Sequence, residues 1–392
     1  MKSIILVSHK MNLGGTEKAL LSLLQTLTGN SVKITLLLLE KGGVLESEIP
    51  HFVKVQYLQD FSVMKPVIEN PPHHTLSKFL KAGKISKAFS FIKTYFKIKK
   101  SGNWYHNFEA ALKDTSHFGT YDIAVAFAGP SDFISYFVVK KVIAKKKIQW
   151  IHFDIEKVIT NYNFGRTFYP YFNQIFCVSQ SAKDIFLKHF PQFEGKTEVF
   201  HNIISSWEIL KSAEKGSSFS DGYKGIRILT VGRFTKEKGQ YLIPEVVAKL
   251  KEEGFGFRWY LVGEGMERRD IQKQSSHLKI EKHLFFLGEQ INPYPFMKDC
   301  HIYVQPSLHE GYGITVAEAQ VFNKPIVVTN FASAKDLIIH NETGLIVDIS
   351  NTGIYEAVKS LLLNTELQKR LTSKSTDIEQ FNNKEAIFRL LN

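Results

Sequence analysis

The chain has 392 residues, more than the roughly 250 to 300 at which a single hydrophobic core stops growing, so two domains are expected. Hydrophobic residues make up 44% and charged residues 22%, which is typical of a globular protein and excludes a disordered or fibrous one. A net charge of +12 favours anionic partners, such as phosphates, nucleic acid or the inner leaflet of a membrane.

The apolar run near the amino terminus covers only residues 4–7, which is shorter than a secretory signal requires. The longest aliphatic stretch, 36–39, is far below the roughly 18 residues of a membrane span. Cys177 and Cys300 lie in strand-like segments without metal-ligand spacing, so neither a disulfide nor a zinc site is expected. The cytosol is the expected compartment.

Short apolar runs alternate with amphipathic helical stretches through the first half of the chain, which predicts βαβ units and a mainly parallel sheet. The predicted strands are 4–7, 32–39, 53–58, 123–127, 148–152, 175–178 and 198–201. Helices are predicted at 16–27 and 182–190. We assign residues 1–210 to this first domain.

Residues 211–225 are polar and rich in Ser and Gly, as a flexible linker would be. A second alternating series follows, and it predicts another doubly wound domain over residues 226–375. The predicted strands are 226–231, 259–262, 284–287, 302–305 and 326–329, and the predicted helices are 240–251 and 315–322.

Residues 77–100 contain eight lysines and no acidic residue, with Ile85, Phe89, Ile92 and Phe96 at helical spacing. This pattern predicts a basic amphipathic helix or helix pair. Two interpretations are open: a solvated helix whose Phe stripe packs on the first domain, or a surface that binds anionic lipid. No nucleic-acid-binding module accompanies the lysines, so a nucleic-acid partner is not expected.

Common nucleotide and metal signatures fail in detail. The Gly-Glu-Gly run at 263–265 lacks the third glycine of a dinucleotide fingerprint, and the Gly-Lys-Thr run at 195–197 lacks the first glycine of a P-loop. The His-Glu pair at 309–310 has no second histidine, which excludes a zinc-protease helix. No Asp-x-Asp pair occurs, so the usual metal clamp for a sugar diphosphate is missing and no metal is expected.

Two loops that follow strands are suited to binding a phosphate group. In the first, Gly14 and Gly15 let the backbone approach a ligand, and Thr16 can cap the next helix. In the second, Arg233 offers a planar guanidinium group and Lys238 a point charge, a combination that suits a diphosphate. Taken singly, each feature could also be an ordinary tight turn or a solvated surface cation.

The most specific signal is the segment 309–319, where Glu310 lies in a loop and Glu318 on the helix after it. Eight residues of helix span about 12 Å, so these carboxylates are not a close acid and base pair. We expect them to hold different parts of one extended ligand, Glu318 a ribose diol and Glu310 the hydroxyls of a sugar. Gly311 and Gly313 permit backbone amides to face that ligand.

Together these motifs resemble the family 4, or group 1, retaining glycosyltransferases with the GT-B fold, over nearly the whole chain. The matching residues are Gly14, Gly15, Arg233, Lys238, the Leu-Val-Gly-Glu-Gly run at 261–265, Glu310, Gly311, Tyr312, Gly313 and Glu318. The family usually has Phe in place of Tyr312. The resemblance implies two facing Rossmann-like domains with a cleft between them, and a final helix, about 376–392, that packs back on the first domain.

By the same resemblance, His152 is the active-site histidine that faces the donor sugar, while Ser179 and Asn202 border the cleft. A UDP- or GDP-sugar would bind the second domain, and Arg233 and Lys238 would stabilise its leaving diphosphate. The sugar would pass, with retained configuration, to an acceptor on the first domain. Neither a metal nor a cofactor is implied beyond the nucleotide sugar.

The implied acceptor is a glycan or a polyprenyl-diphosphate-linked glycan of bacterial capsule or surface polysaccharide, which would place the protein peripherally at the inner face of the cell membrane. Alternatives remain because fold does not fix function. One is a sugar-nucleotide epimerase or phosphorylase of the same fold, and another is a noncatalytic sugar-nucleotide-binding subunit of a polysaccharide assembly complex.

Overall fold

The computed structural model describes residues 1–28, 32–70, 72–158, 162–373 and 383–391, and the chain forms two compact units. The first unit contains Met1–Val178, Ala182–Phe200 and Phe388–Asn392, and the second contains Ser179–Ser181 and His201–Ile387. Each unit is a parallel sheet with helices, which confirms the predicted α/β class. The division falls after Phe200, so the segment predicted as a linker, 211–225, lies inside the second unit.

The first unit is built on a parallel sheet of seven strands in the order β3-β2-β1-β4-β5-β6-β7. The strands are β1 (Lys2–Ser8), β2 (Val32–Leu38), β3 (Lys54–Tyr57), β4 (Thr120–Ala126), β5 (Ile143–Ile151), β6 (Gln174–Cys177) and β7 (Thr197–Val199). The strand order reverses between β1 and β4, where Ile4 pairs with both Ile34 and Ile123. In open α/β sheets, ligands bind beyond the carboxyl ends of the strands at such a point.

Helices cover both faces of this sheet because the central strands are apolar on both sides. They are α1 (Gly15–Thr26), α2 (Phe61–Glu69), α3 (Pro72–Lys81), α4 (Ile85–Ser101), α5 (His106–Ala111), α6 (Asp132–Lys141), α7 (Ile155–Val158), α8 (Asn163–Phe168) and α9 (Gln180–His189). The core is rich in fully buried aromatic rings, among them Phe137, Phe186 and Phe190.

The second unit has a six-stranded parallel sheet in the order β10-β9-β8-β11-β12-β13. The strands are β8 (Ile226–Val231), β9 (Phe257–Val262), β10 (Leu284–Gly288), β11 (Ile302–Gln305), β12 (Ile326–Thr329) and β13 (Leu345–Val347). The helices are α10 (Ser206–Glu214), α11 (Ile243–Glu252), α12 (Arg268–His277), α13 (Tyr294–Asp299), α14 (Ile314–Gln320), α15 (Ala334–Leu337), α16 (Asn351–Leu363) and α17 (Thr365–Ser373). Here the order reverses between β8 and β11.

One predicted segment at the domain boundary differs from its predicted role, and the predicted final helix is present in its described part. The first residues of the predicted linker belong to α10, whose N-cap Ser205 accepts a hydrogen bond from the amide of Glu208. A last helix, α18 (Asn383–Leu391), covers the described part of the predicted 376–392 helix, and residues 376–382 of that prediction lie outside the described residues. Arg389 donates to the carbonyl of Val199, 3.0 Å away in the first unit.

The basic segment 77–100 forms parts of α3 and α4, which confirms a helix pair. Its packing differs from the first of the two interpretations, because Phe89 is 71% exposed and Phe96 is 63% exposed. The side of α4 that is buried carries Ala88 and Phe91 instead. Across the described ranges, no helix combines the length and apolar character that crossing a membrane requires.

Candidate functional site

Three loops meet at the carboxyl edge of the second sheet, after β8, β9 and β11. The amide of Phe234, in the loop after β8, donates to the carbonyl of Glu264 after β9 at 2.8 Å. The carbonyl of Glu237 in the β8 loop accepts from the amides of Leu308 and His309 after β11, at 2.8 and 3.2 Å. The second-unit loops predicted to carry chemistry therefore form one continuous rim beside the point where the strand order reverses.

Two glycines let these loops approach closely. Gly239 has φ of +68°, and a Cβ there would collide with the carbonyl oxygen of Pro306 in the β11 loop. Gly263 has φ of +140°, and a Cβ there would collide with the carbonyl oxygen of Gly232. Glycine is required on both counts, because a side chain would force the rim apart and strain the backbone. The Leu-Val-Gly-Glu-Gly motif thus supports the β8 loop by close packing.

Lys238 and Glu310 form an ion pair at this rim. The Lys238 Nζ lies 2.7 Å from both Oε1 and Oε2 of Glu310, and the two side chains are only 19% and 8% exposed. The Ser307 hydroxyl donates to Glu310 Oε1 at 2.8 Å. Because an ammonium group has three donors, the pair leaves one N–H of Lys238 for a further acceptor.

A buried chain of polar groups fixes Ser307. The Gln305 amide nitrogen donates to the Ser307 hydroxyl at 2.9 Å, and its oxygen accepts from Tyr303 at 2.8 Å and from Thr315 at 3.2 Å. This chain of polar groups was not predicted from the sequence. The signal was present, since Gln305 and Ser307 are polar residues at the end of an otherwise apolar strand, and polar groups buried there need partners.

Arg233 is exposed, unlike Lys238. The backbone that carries it is nevertheless held in place, because the Gln240 amide donates to the carbonyls of Gly232 and Arg233, both at 3.0 Å. Gln240 is itself buried. The β8 loop therefore presents an exposed guanidinium group from a backbone held by hydrogen bonds.

Glu318 lies on α14 and is 3% exposed. The hydroxyl of Tyr294, from α13, donates to Glu318 Oε1 at 2.7 Å. Burial, together with the neighbouring carboxylate, raises the pKa of Tyr294 well above its usual value, so the tyrosine remains a donor. Tyr294, like Gln305 and Ser307, was not predicted from the sequence to belong to the site.

The run 311–313 leads into α14. Gly313 is the N-cap with φ of +95°, a conformation that favours glycine. The carbonyl of Gly311 accepts from the Ser179 hydroxyl at 2.9 Å. The Tyr312 ring packs 5.6 Å from that of His201. The Tyr312 hydroxyl is buried and has no hydrogen-bond partner in the part of the chain that the structure describes.

The remaining predicted residues lie in both units. In the first, α1 begins directly after Gly14, which is its N-cap, so the prediction that Thr16 caps this helix is wrong. The Glu17 carboxylate folds over Gly14, and a Cβ on Gly14 would collide with it. Gly15 is the first residue of the helix. In the second unit, Asn202 is buried at 4% exposure.

His152, just after β5 in the first unit, is 5% exposed. Its ring is stacked on Trp150 at 5.9 Å, with only 6° between the two planes. Burial lowers its pKa to about 3, and a bond to the backbone of Phe127 only partly opposes this, so the imidazole is neutral at neutral pH. Its Nε2 is buried and has no partner among the described residues. As part of a neutral ring, this nitrogen can accept a hydrogen bond from a hydroxyl group.

The second-unit rim thus offers cations and carboxylates in a pattern that suits a sugar diphosphate. One exposed guanidinium and one fixed ammonium can bind phosphate oxygens, while the carboxylates of Glu310 and Glu318 can accept from hydroxyls. Over the described residues, no group of three or more His, Cys, Asp and Glu side chains is placed to hold a metal ion. Cys177 and Cys300 are buried as free thiols.

Comparison with known proteins adds an independent observation. The family described as "Glycosyl transferases group 1" matches residues 218–377. A 4-alpha-N-acetylgalactosaminyltransferase of Campylobacter jejuni, which acts on a diphospho-undecaprenol-linked sugar by its name, is 26% identical over 53% of this chain and 55% of its own length. The lipopolysaccharide core glycosyltransferase LpsE of Rhizobium meliloti is 29% identical over 41% of this chain and 46% of its own length. The chain thus matches about half the length of these curated relatives.

Solved structures match along the whole chain. Anabaena Alr3699/HepE in complex with UDP-glucose aligns with a TM-score of 0.70 and 16% identity, over 100% of this chain and 98% of the other. Staphylococcus aureus TarM, bound to UDP, aligns with a TM-score of 0.71 and 14% identity, over 100% of this chain and 99% of the other. At these identities the similarity establishes the fold.

Proposed function

Because residues 218–377 match the group 1 glycosyltransferase family and the whole chain has the GT-B fold, we propose that it transfers a sugar from a UDP- or GDP-sugar to a glycan or lipid-linked acceptor. The observation that carries this proposal is the Lys238–Glu310 ion pair on the same rim as Arg233. UDP is the first nucleotide to test as the donor carrier, because HepE was solved with UDP-glucose and TarM with UDP.

The rim supports a division of labour along one nucleotide sugar. Glu318 accepts from the ribose diol, Arg233 and Lys238 contact the diphosphate, and Glu310 accepts from sugar hydroxyls. Glu310 also holds Lys238 in place, so part of the ammonium charge is already balanced. Arg233 then supplies the larger uncompensated positive charge as the diphosphate leaves.

The transfer step is proposed to retain the anomeric configuration. The bond between the anomeric carbon and the diphosphate oxygen breaks, and its electron pair leaves with the diphosphate. The acceptor hydroxyl oxygen bonds to that carbon on the same face, and its proton passes to the departing diphosphate. Since two cations already face the diphosphate, we propose that no metal takes part. His152, as a neutral imidazole, would accept a hydrogen bond from a hydroxyl of the donor sugar.

The proposed acceptor is a polyprenyl-diphosphate-linked glycan in bacterial capsule or surface polysaccharide synthesis. The similarity to the Campylobacter jejuni enzyme, which by its name acts on such a lipid, supports this choice. An acceptor of this kind implies peripheral attachment at the inner face of the cell membrane.

The test is a transfer assay with radiolabelled UDP- and GDP-sugars and an undecaprenyl-diphosphate-linked glycan pool, run in EDTA and with manganese. We expect a labelled glycolipid from one of the donors. An α-linked donor should give a product whose new linkage is α by NMR, and the rates in EDTA and in manganese should be equal. Donor conversion to another sugar nucleotide without acceptor would indicate an epimerase instead. Tight donor binding without turnover on any acceptor would indicate a noncatalytic subunit. Activity lost in EDTA and restored by manganese would disprove metal independence.

A further inference from the structure

The helix pair α3–α4, here called the basic hairpin, exposes large apolar side chains. Leu80 is 56% exposed, Ile85 61%, Phe89 71% and Phe96 63%. Leaving large apolar side chains in water costs free energy, so several of them exposed on one element indicate an interaction site. These four side chains form the apolar part of the exposed surface of the basic hairpin.

The positions of these residues on α4 form a single stripe. Ile85, Phe89 and Phe96 follow each other at intervals of four and seven residues, which places them on one side of a helix. Ala88 and Phe91 lie on a different side and are buried. The stripe is thus turned away from the side by which α4 packs.

The hairpin is held together by its inner side. The rings of Phe79 and Phe91 contact each other edge to face at 6.0 Å between α3 and α4. The hydroxyl of Thr75, buried in α3, donates to the carbonyl of Pro66 in α2 at 2.6 Å. The exposed stripe is therefore presented by a packed element.

Positive charge surrounds the stripe. Residues 77–100 carry eight lysines and no acidic residue. Within the described part of the chain, Lys97 is the lysine of this segment that forms an ion pair, with Glu109 at 3.0 Å. A hollow of about 480 Å³ on α3, lined by His74, Ser77, Lys78 and Lys81, offers two further cations to a phosphate group. The surface is complementary to a layer of negative charge.

We propose that the basic hairpin docks on the surface of an anionic lipid bilayer. Leu80, Ile85, Phe89 and Phe96 enter the headgroup and acyl boundary, while the lysines around them contact lipid phosphates. A bilayer fits better than an acidic protein, because the apolar side chains project from a convex helix and the lysines are spread along α3 and α4. A fluid sheet of charge can meet all of them at once.

A cavity beside the hairpin connects this surface with transfer, a step that rests on the proposed function. Lys87 of α4 lines a cavity of about 1150 Å³, together with Tyr57, Asp60 and Asp114. Carboxylates and an aromatic ring are groups that bind sugars. Because Lys87 belongs to α4, an acceptor bound in this cavity would contact the same helix that carries the exposed stripe.

The experiment is cosedimentation with vesicles of phosphatidylcholine alone or with 30% phosphatidylglycerol, at about 0.1 M and 1 M salt. No acceptor or nucleotide sugar is present, so the result does not depend on the transfer reaction. We expect binding to anionic vesicles at low salt, at least several hundredfold tighter than to neutral ones. Binding should weaken at 1 M salt, where the Debye length falls from about 10 Å to about 3 Å. Some binding should survive there through the apolar stripe.

Two variants of the hairpin separate charge from insertion. Changing Lys84, Lys93, Lys99 and Lys100 to Gln spares the Lys97–Glu109 pair, and should weaken low-salt binding by about fivefold per lysine, or several hundredfold in total. Phe89→Ser with Phe96→Ser should abolish the salt-resistant part. These side chains are exposed, so both variants should keep the wild-type melting temperature.

Matched controls change the same chemistry in the second unit. They are Lys215, Lys224, Lys273 and Lys282 to Gln, and Ile291 with Leu363 to Ser, all at exposed positions. The proposal fails if wild type ignores anionic vesicles, if it binds neutral vesicles equally well, or if the hairpin variants bind no worse than the controls. Binding of poly-glutamate in the absence of vesicle binding would indicate an acidic protein partner and would also overturn it.

Discussion

The Lys238 ammonium lies 2.7 Å from both carboxylate oxygens of Glu310, in a setting where each side chain is less than one-fifth exposed. Each side chain provides the counter-ion of the other. Removing one member leaves the other partly buried without a counter-ion, which costs more than the pair itself contributes. The two cations of the rim should therefore respond differently to substitution.

Arg233→Ala and Lys238→Ala should both lower turnover by at least about 100-fold, as expected for the loss of one electrostatic donor. Only Lys238→Ala should also destabilise the fold, by about 3 kcal/mol, because it leaves Glu310 unpaired. Steady-state kinetics and denaturant unfolding measure the two effects. Lys236→Ala, an exposed change in the same loop, is the control. Near wild-type turnover in both Ala variants would rule out the diphosphate role.

Glu318 and Glu310 should differ in their effect on nucleotide affinity. Glu318→Ala should weaken binding of bare UDP or GDP. Glu310→Ala removes a carboxylate that balances part of the Lys238 charge, so it should not weaken that affinity and should mainly reduce transfer. Tyr294→Phe keeps the ring and removes one hydrogen bond to Glu318. We therefore expect a smaller loss of nucleotide binding free energy, about 1 kcal/mol. Titration calorimetry measures all three. Equal nucleotide affinity in wild type and Glu318→Ala would contradict the ribose assignment.

Burial of His152 should make stability depend on pH. Its pKa is about 3 in the folded protein and about 6.5 when unfolded, so between these values the unfolded chain binds a proton that the folded chain does not. Above pH 6.5 the imidazole is neutral in both states, so the free energy of unfolding has its full value. As the pH falls below 6.5, protonation of the unfolded chain lowers the free energy of unfolding. At pH 5, which is 1.5 units lower, the loss is about 2 kcal/mol.

Denaturant unfolding of wild type and His152→Gln at pH 7, 6 and 5 measures this contribution. The variant should lose about 2 kcal/mol less than wild type between pH 7 and pH 5. His277→Gln, at an exposed position on α12, is the control and should follow wild type. Parallel pH curves for wild type and His152→Gln would show that the buried imidazole does not act in this way.

Tyr312→Phe should leave the protein as stable as wild type or make it more stable, by up to about 1 to 2 kcal/mol. The hydroxyl is buried without a hydrogen-bond partner among the described residues, so removing it ends a desolvation cost. Thermal unfolding is the measurement, and Tyr294→Phe, which removes a bonded hydroxyl, should lower stability. A loss of more than 1 kcal/mol in Tyr312→Phe would mean that the hydroxyl has a partner after all.

The parallel sheets were predictable because their strands are buried on both faces and appear as continuous apolar runs. The predicted strands 226–231, 302–305 and 326–329 have the observed bounds of β8, β11 and β12. β13 was missed because it has only three residues and two of them are partly exposed. The helix predicted at 240–251 begins with a tighter 3₁₀ turn, because Gly239 in the left-handed region and Pro244 shape its start.

The charged residues of the site could be predicted from the sequence, whereas the hydrogen bonds and the ion pair that position them could not. Arg233, Lys238, Glu310 and Glu318 follow from residue type and position after strands. The Lys238–Glu310 pair could not be predicted, because its members are 72 residues apart and come from different loops. The direction of the α4 stripe was equally hidden. Helical spacing shows that apolar residues share a side, but not whether that side packs or faces water.

The first unit is made from stretches of chain that are separated by nearly the whole second unit, since Phe388 and the residues after it belong with Met1–Val178. During synthesis, the last helix can therefore pack on the amino-terminal sheet only after the second unit has been made. The carbonyl of Val199 meets the Arg389 guanidinium only after about 190 further residues have been made. At roughly 5 to 20 residues per second this delay is on the order of 10 to 40 seconds. Until then, the surface that α18 will cover is open to chaperones and proteases in the growing chain.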